Sequence, residues 1–365
     1  MHKIKDITSY LESIAPIALQ ESYDNAGLIT GDPEVEVTGA LITLDSTEEV
    51  VDEAISKGCN LIIAHHPIIF KGLKQLNGKN YVERTIIKAI KNDIAIYAIH
   101  TNLDNVINGV NGKIAEKLGL SNCSILLPKS STLSKLVTFS PKANTTEVLN
   151  ALHDAGAGSI GEYDQCSFKT AGEGSFRPSV NANPHIGKSG EVERVNEDRI
   201  EVVVPSHAKQ RVLSVLLATH PYEEVAYFLT EIDNHDQSIG SGIIGQLDKP
   251  MKSSEFLQYL KDRMNLNIIR HTTSVHDSIQ KIAICGGAGS FLLSTAIRNK
   301  ADVFITGDFK YHEFFDAEDH LMIADIGHYE SEVFTKELIY DILSEKFTKF
   351  ALNLSEINTN PISYF

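Results

Sequence analysis

Two distant stretches of the chain carry the same short pattern of side chains. His65-His66-Pro67 closes an apolar run, and His100 stands four residues before Asp104. Near the other end, His328 stands four residues before Glu332. Imidazoles and carboxylates are borderline and hard metal ligands. Five of them, His65, His66, Asp104, His328 and Glu332, make a set suited to two divalent ions about 3.5–4 Å apart with a carboxylate between them. Such a pair acidifies a bridging water and gives hydroxide near neutral pH, which is hydrolytic chemistry. His100 and His312 are the candidate catalytic residues for proton handling: His100 could orient a ligand or shuttle protons, and His312, which follows a later strand exit, could reach a ligand or cap a helix. With fourteen histidines in the chain, an adjacent pair proves little alone. Two repeat-related His-x-x-x-acid pairs weigh more.

The elements that must position these groups follow a common grammar. Residues 40–44 read as a buried strand, Ser46 and Glu49 as a capping box opening a helix, and residues 61–64 as a second strand ending at His65. Adjacent strand residues face opposite ways. His65 and His66 therefore serve one site only if the strand gives way there, which Pro67 enforces. The order returns with strands at 282–285 and 303–306 and a helix over 290–299. A shift of 242 lays Ala54 on Ala296 and His66 on Asp308. Runs at 94–99 and 321–326 lead into His100 and His328 with a shift of 228, fourteen fewer residues in the second copy. This predicts an α/β fold with a duplicated core of two similar halves.

Between the copies the texture changes to Gly, Ser, Thr and Asn. Strands are expected at 135–141, 161–171, 199–205 and 225–232, with helices ending near Gly156 and over 207–219. That order predicts a ferredoxin-like α+β domain inserted into the larger one. The boundaries are 1–127 for the first half of the core, 128–236 for the insert and 237–365 for the second half. Residues 172–191, polar and rich in Gly and Pro, read as a long hairpin arm or mobile loop.

Other features are weaker. Gly286-Gly287-Ala288-Gly289 lacks the full spacing of a phosphate loop and reads first as a tight turn. Tyr23-Asp24-Asn25-Ala26-Gly27-Leu28 is turn chemistry before substrate contact. His220-Pro221-Tyr222-Glu223-Glu224 reads as a helix end and turn. Cys285 has no base beside it and reads as a buried small residue.

The 365 residues exceed one typical core and carry 33 Lys and Arg against 48 Asp and Glu, a formal charge of −15. No basic cluster is longer than a pair, so nucleic acid is a poor partner. Four scattered cysteines give no zinc ribbon and no secreted disulfide framework. No apolar run reaches transmembrane length, and the N-terminus opens no signal-peptide core. The cytoplasm is the expected compartment.

Taken together, YDNAGL at 23–28, NLIIAHHP at 60–67, HTNLD at 100–104, CGGAGS at 285–290, TGDFKYH at 306–312 and GHYESE at 327–332 resemble the Nif-three-like family, whose bacterial members are often labelled GTP cyclohydrolase I type 2 homologs. The resemblance covers nearly the whole chain. It implies two divalent metal ions per subunit, zinc with iron or manganese as alternatives. The implied ligands are His65, His66, Asp104, His328 and Glu332, with Glu332 as bridge. It further implies a toroidal homohexamer, a trimer of dimers, and an insert similar to PII/CutA proteins. The activity it suggests is hydrolysis of a nucleotide-like or phosphorylated small molecule, GTP ring opening being the named case. The alternative is a non-enzymatic regulatory or metal-handling protein with a ligand-sensing insert.

Overall fold

Apolar residues at helical spacing bury one face of the first helix, Ile4–Ile14, through Ile4, Ile7, Thr8 and Leu11. This computed structural model describes residues 2–365. The chain forms two compact units, one running up to Leu127 together with Gly240–Phe365, the other Pro128–Ile239.

The first unit holds two sheets, with strands numbered along the chain. One contains β1 (Gly27–Thr30), β2 (Ala40–Thr43), β3 (Leu61–Ala64), β4 (Ala95–Ala98) and β15 (Leu352–Leu354) in the order β1-β4-β3-β2-β15. β15, β2, β3 and β4 run parallel and β1 antiparallel to β4. β2, β3 and β4 are buried along their whole length, as uninterrupted apolar runs require. The other sheet contains β5 (Ser121–Pro128), β10 (Gly240–Lys252), β11 (Arg270–His271), β12 (Ser278–Ala288), β13 (Val303–Gly307) and β14 (Met322–Asp325) in the order β11-β14-β13-β12-β10-β5. Again the central three, β12, β13 and β14, are parallel.

The two sheets pair in matching register. Ala40 faces Leu61 and Ile42 faces Ile63, while Ile282 faces Val303 and Ile284 faces Ile305. All four pairs obey the offset of 242. Leu61 faces Ala95 and Val303 faces Met322, so the third strands are offset by 227 rather than 228. The extra residue falls between β14 and His328, where Gly327 adopts φ 93°.

The second unit is a four-stranded antiparallel sheet of β6 (Leu133–Pro141), β7 (Ser167–Phe176), β8 (Glu193–Pro205) and β9 (Tyr227–Glu231), ordered β7-β8-β6-β9. Helices Thr145–Asp154 and Lys209–Thr219 lie between β6 and β7 and between β8 and β9 in sequence. Their residues Val148, Leu152, Val212 and Leu216 build a separate core with Leu136, Ile200 and Val202.

Several local expectations shift. Thr47, not Ser46, caps helix Glu48–Ser56, its side chain accepting from the Val50 amide at 3.3 Å. β7 begins at Ser167, six residues after its expected start at Gly161. Residues 286–288 belong to β12 rather than to a turn. Among the described residues no helix is long and apolar enough to cross a membrane.

Candidate metal centre

β3 ends at Ala64, and His65 and His66 continue past it, their amides still donating to the Thr43 and Leu44 carbonyls. With the strand over, both rings reach the same region, centroids 4.9 Å apart. The other three groups come from single helical turns at strand exits. His100 precedes helix Thr101–Asp104, which ends on Asp104. Helix His328–Glu332 places its first and last residues on one face, as four-residue spacing requires.

Their side chains converge. Glu332 Oε2 lies 2.9 Å from His66 Nε2, 3.1 Å from His328 Nε2 and 3.9 Å from His65 Nε2. His65 Nε2 lies 3.6 Å from Asp104 Oδ1. Three groups each bring their ligand atoms within 4.8 Å of one another: His65-His66-His100, His66-His328-Glu332 and His65-Asp104-Glu332. The five residues singled out from the sequence, with His100, thus meet in one place. His312 does not join them. It is exposed in the 3-10 helix Tyr311–Ala317, beside Tyr311 and Phe315.

Each imidazole is held at its far nitrogen by an acceptor. His65 Nδ1–H donates to the Ile99 carbonyl at 2.8 Å. His66 Nδ1–H donates to Asp45 and His328 Nδ1–H to Asp308, both at 2.8 Å, and His100 Nδ1–H to Asp24 at 2.7 Å. Carbonyl or carboxylate partners on the second ring nitrogen are how metal-ligating histidines are oriented. Asp45 is the partner the sequence reasoning missed. It stands just past β2, and a carboxylate at a strand exit beside the His65-His66 exit was the available signal. Asp24, read there as turn chemistry, also receives the Thr101 amide at 3.0 Å and the Thr101 hydroxyl. Asp325 accepts from Arg270 and from the Phe309 and Gly327 amides, which fixes the backbone on either side of Asp308 and His328.

Two polar atoms here are buried without a hydrogen-bond partner, His65 Nε2 and Asp104 Oδ1. His65 is fully buried. Orphaned donors and acceptors in a protein interior cost free energy unless something completes them. Two such atoms 3.6 Å apart, flanked by Glu332, fit a divalent cation.

The electrostatics fit as well. Burial alone would push the Glu332 carboxyl up, but the His328, His65 and His66 imidazoles outweigh it and hold it well below the usual carboxylate range. Burial would lower His66, yet hydrogen bonds to Asp45 and Glu332 raise it to about 10. His328 is raised to about 9 against burial by Glu332 and Asp308. Asp104 goes the other way, pushed to about 7 by burial and then by the Glu332 charge. In the metal-free chain, then, protons on two imidazoles neutralise the buried carboxylate, as a cation would.

The glycines of β12 serve this centre by being small. A Cβ on Gly287 would overlap Glu332 Oε1, and Gly287 has φ +64°. The amides of Gly286, Gly287 and Gly289 are taken by Asn111, Ser331 and Thr306, so they form no phosphate cradle. Cys285 is buried, and burial followed by the nearby Asp104 and Glu332 charges drives its thiol pKa up, the opposite of a nucleophile's need.

Comparison with known proteins adds to this geometry. The family description Duf34/NIF3 (NGG1p interacting factor 3) matches residues 2–361. The chain is 37% identical over 366 residues to a Staphylococcus epidermidis protein named GTP cyclohydrolase 1 type 2 homolog, covering 99% of this chain and 100% of that one. It is 38% identical over 365 residues to a Bacillus subtilis protein of the same name, covering 99% and 98%. Among solved structures, a Bacillus cereus protein related to NIF3 superposes with a TM-score of 0.86 at 38% identity, covering 100% of this chain and 99% of that one.

Proposed function

Since the chain belongs to the Duf34/NIF3 family, we propose that it is a dinuclear-metal hydrolase acting on a nucleotide-like or other phosphorylated small molecule. One observation carries this: three imidazoles, each aimed by an acceptor on Nδ1, bring Nε2 to the buried Glu332 carboxylate, Asp104 stands beside His65, and His65 Nε2 and Asp104 Oδ1 are buried without a partner. His65, Asp104 and Glu332 would hold one cation, and His66, His328 and Glu332 the other, with Glu332 shared. Divalent ions there, zinc first by ligand type and iron or manganese as alternatives, would supply Lewis-acid polarisation and an acidified water.

The chain's own groups do the rest. Asp24 fixes His100 by accepting its Nδ1–H, so the other ring nitrogen is free to take and return a proton beside His65 and His66. Phe70 packs edge-on against His100, centroids 5.8 Å apart, and shields one side of it from water. GTP is the first substrate to try, because the relatives' names point to it. The matching registers of the two sheets support a duplicated core, and the β-α-β-β-α-β order of the second unit supports a ferredoxin-like, PII/CutA-like insert. A toroidal homohexamer belongs to the same proposal and is tested by light scattering.

The direct test is turnover. Chelator-stripped protein should lose hydrolysis of GTP or related nucleotides and regain it on adding zinc or manganese, and Glu332→Gln should not be rescued. Undiminished turnover by stripped His65→Ala protein would overturn the proposal.

A further inference from the structure

The second unit holds an open-sided cavity of about 510 Å³ that the metal chemistry does not use. Its walls are mostly apolar and aromatic, with Phe139, Phe176 and Tyr222 among them. The Phe176 and Tyr222 rings stand edge to face at 5.7 Å. One charged side chain inside is buried: Glu197, 8% exposed, on β8.

Only half of that carboxylate is satisfied. The Tyr222 hydroxyl donates to Oε1 at 2.7 Å. Among the described residues no other donor to Glu197 is found, and Oε2 faces Gly174 on the neighbouring β7 strand. Glu197 pairs with Gly172 in register, which makes Gly174 its diagonal neighbour on the same face. A Cβ on Gly174 would overlap Oε2, so the glycine keeps that oxygen accessible. Oε2 therefore keeps acceptor capacity for a donor entering the cavity.

The surroundings are pre-set. His220, also buried, donates from Nε2 to the Phe139 carbonyl at 2.8 Å and accepts the Tyr222 amide on Nδ1 at 3.1 Å. One ring nitrogen is thus anchored on the Phe139 carbonyl of β6 and the other holds the Tyr222 amide, and Tyr222 in turn bonds Glu197. The His220-Pro221-Tyr222 stretch is therefore more than a helix end. Charge favours a cation, because Glu223 and Glu224 also line the cavity against the single Arg177.

We propose that this cavity binds a flat, positively charged nitrogenous small molecule of amidine or guanidine type. Its ring lies against Phe176 and Tyr222, and its N–H groups bond Glu197 Oε2. Aromatic faces and a desolvated carboxylate are the two features that select such a cation over neutral or anionic analogues. The assignment is independent of any activity at the metal centre.

Benzamidine is the probe, titrated into the full chain by calorimetry, with benzamide and benzoate as the neutral and anionic isosteres. One saturable site per chain is expected for benzamidine, at least tenfold weaker binding of benzamide, and none of benzoate. Glu197→Gln should lower benzamidine affinity at least tenfold. Gly174→Ala, which crowds the same oxygen without removing the charge, should weaken it too, while His66→Ala at the metal centre should leave it unchanged. Circular dichroism checks that each variant is folded. No benzamidine binding, equal binding by folded Glu197→Gln and Gly174→Ala variants, or preference for benzoate would overturn the assignment.

Discussion

Adding zinc to the metal-free protein at pH 7 should expel protons, and the structure gives the number. His66 and His328, raised to about 10 and about 9 by their carboxylate partners, are both protonated at pH 7. Asp104, at about 7, is half protonated. A cation needs the lone pairs of both imidazoles and the Asp104 carboxylate, so filling the centre releases about two to two and a half protons per chain from these three side chains, with any proton lost by metal-bound water in addition. Apparent affinity therefore rises with pH, on the order of a hundredfold per unit between pH 7 and 8.5. At pH 10 the release drops below about one proton, because most of the imidazole protons have already left. Calorimetric titration of zinc in two buffers of different ionisation enthalpy measures this count directly. In Asp45→Asn, His66 loses one of the partners that raise it, and the count at pH 7 should fall. Zinc binding with no proton release at pH 7, or with affinity independent of pH, would refute the electrostatic picture of the centre.

Further predictions concern its supports. In Gly287→Ala, the added Cβ overlaps Glu332 and the residue is held at φ +64°. The variant should lose at least about 1 kcal/mol in denaturant unfolding, and its bound metal should drop. Asp24 is held well below its ordinary pKa because His100 and Thr101 outweigh burial. A depressed folded pKa contributes stability that is complete above the unfolded value of about 3.9 and is lost as pH falls below it. Metal-free Asp24→Asn should thus have the lower urea midpoint at pH 6, with the gap to wild type closing towards pH 2; a gap constant with pH would contradict this. His312→Ala changes an exposed ring outside the convergent cluster. Its metal content, measured by elemental analysis, should match wild type.

The strand exits were legible because β2, β3, β4, β13 and β14 are buried on both faces and leave uninterrupted apolar runs. Histidines and carboxylates at the ends of such runs stand out. What escaped depended on contacts across the sequence. Asp45 looks ordinary until β2 is set beside β3, and Asp24 reaches His100 only when the chain folds back over a separation of 76 positions. Over β10, Gly240, Gly242, Gly245 and Pro250 punctuate the sequence, and no strand is assigned there from pattern. Pairing with β12 overrides those signals, and the ladder shifts register between Gln246 and Met251 to accommodate the proline. β7 lies almost wholly exposed, so no inward face imposes alternation, and its start could not be located from pattern. The glycines of β12 were correctly weighed as structural, but the group they make room for, Glu332, is 45 residues beyond Gly287 and invisible to any local pattern.

Anomalous diffraction at the zinc edge from zinc-replete crystals tests the central claim most directly. Two peaks per chain are expected, one bounded by His65, Asp104 and Glu332 and the other by His66, His328 and Glu332. Absence of density between these side chains, or zinc held only elsewhere on the protein, would contradict it.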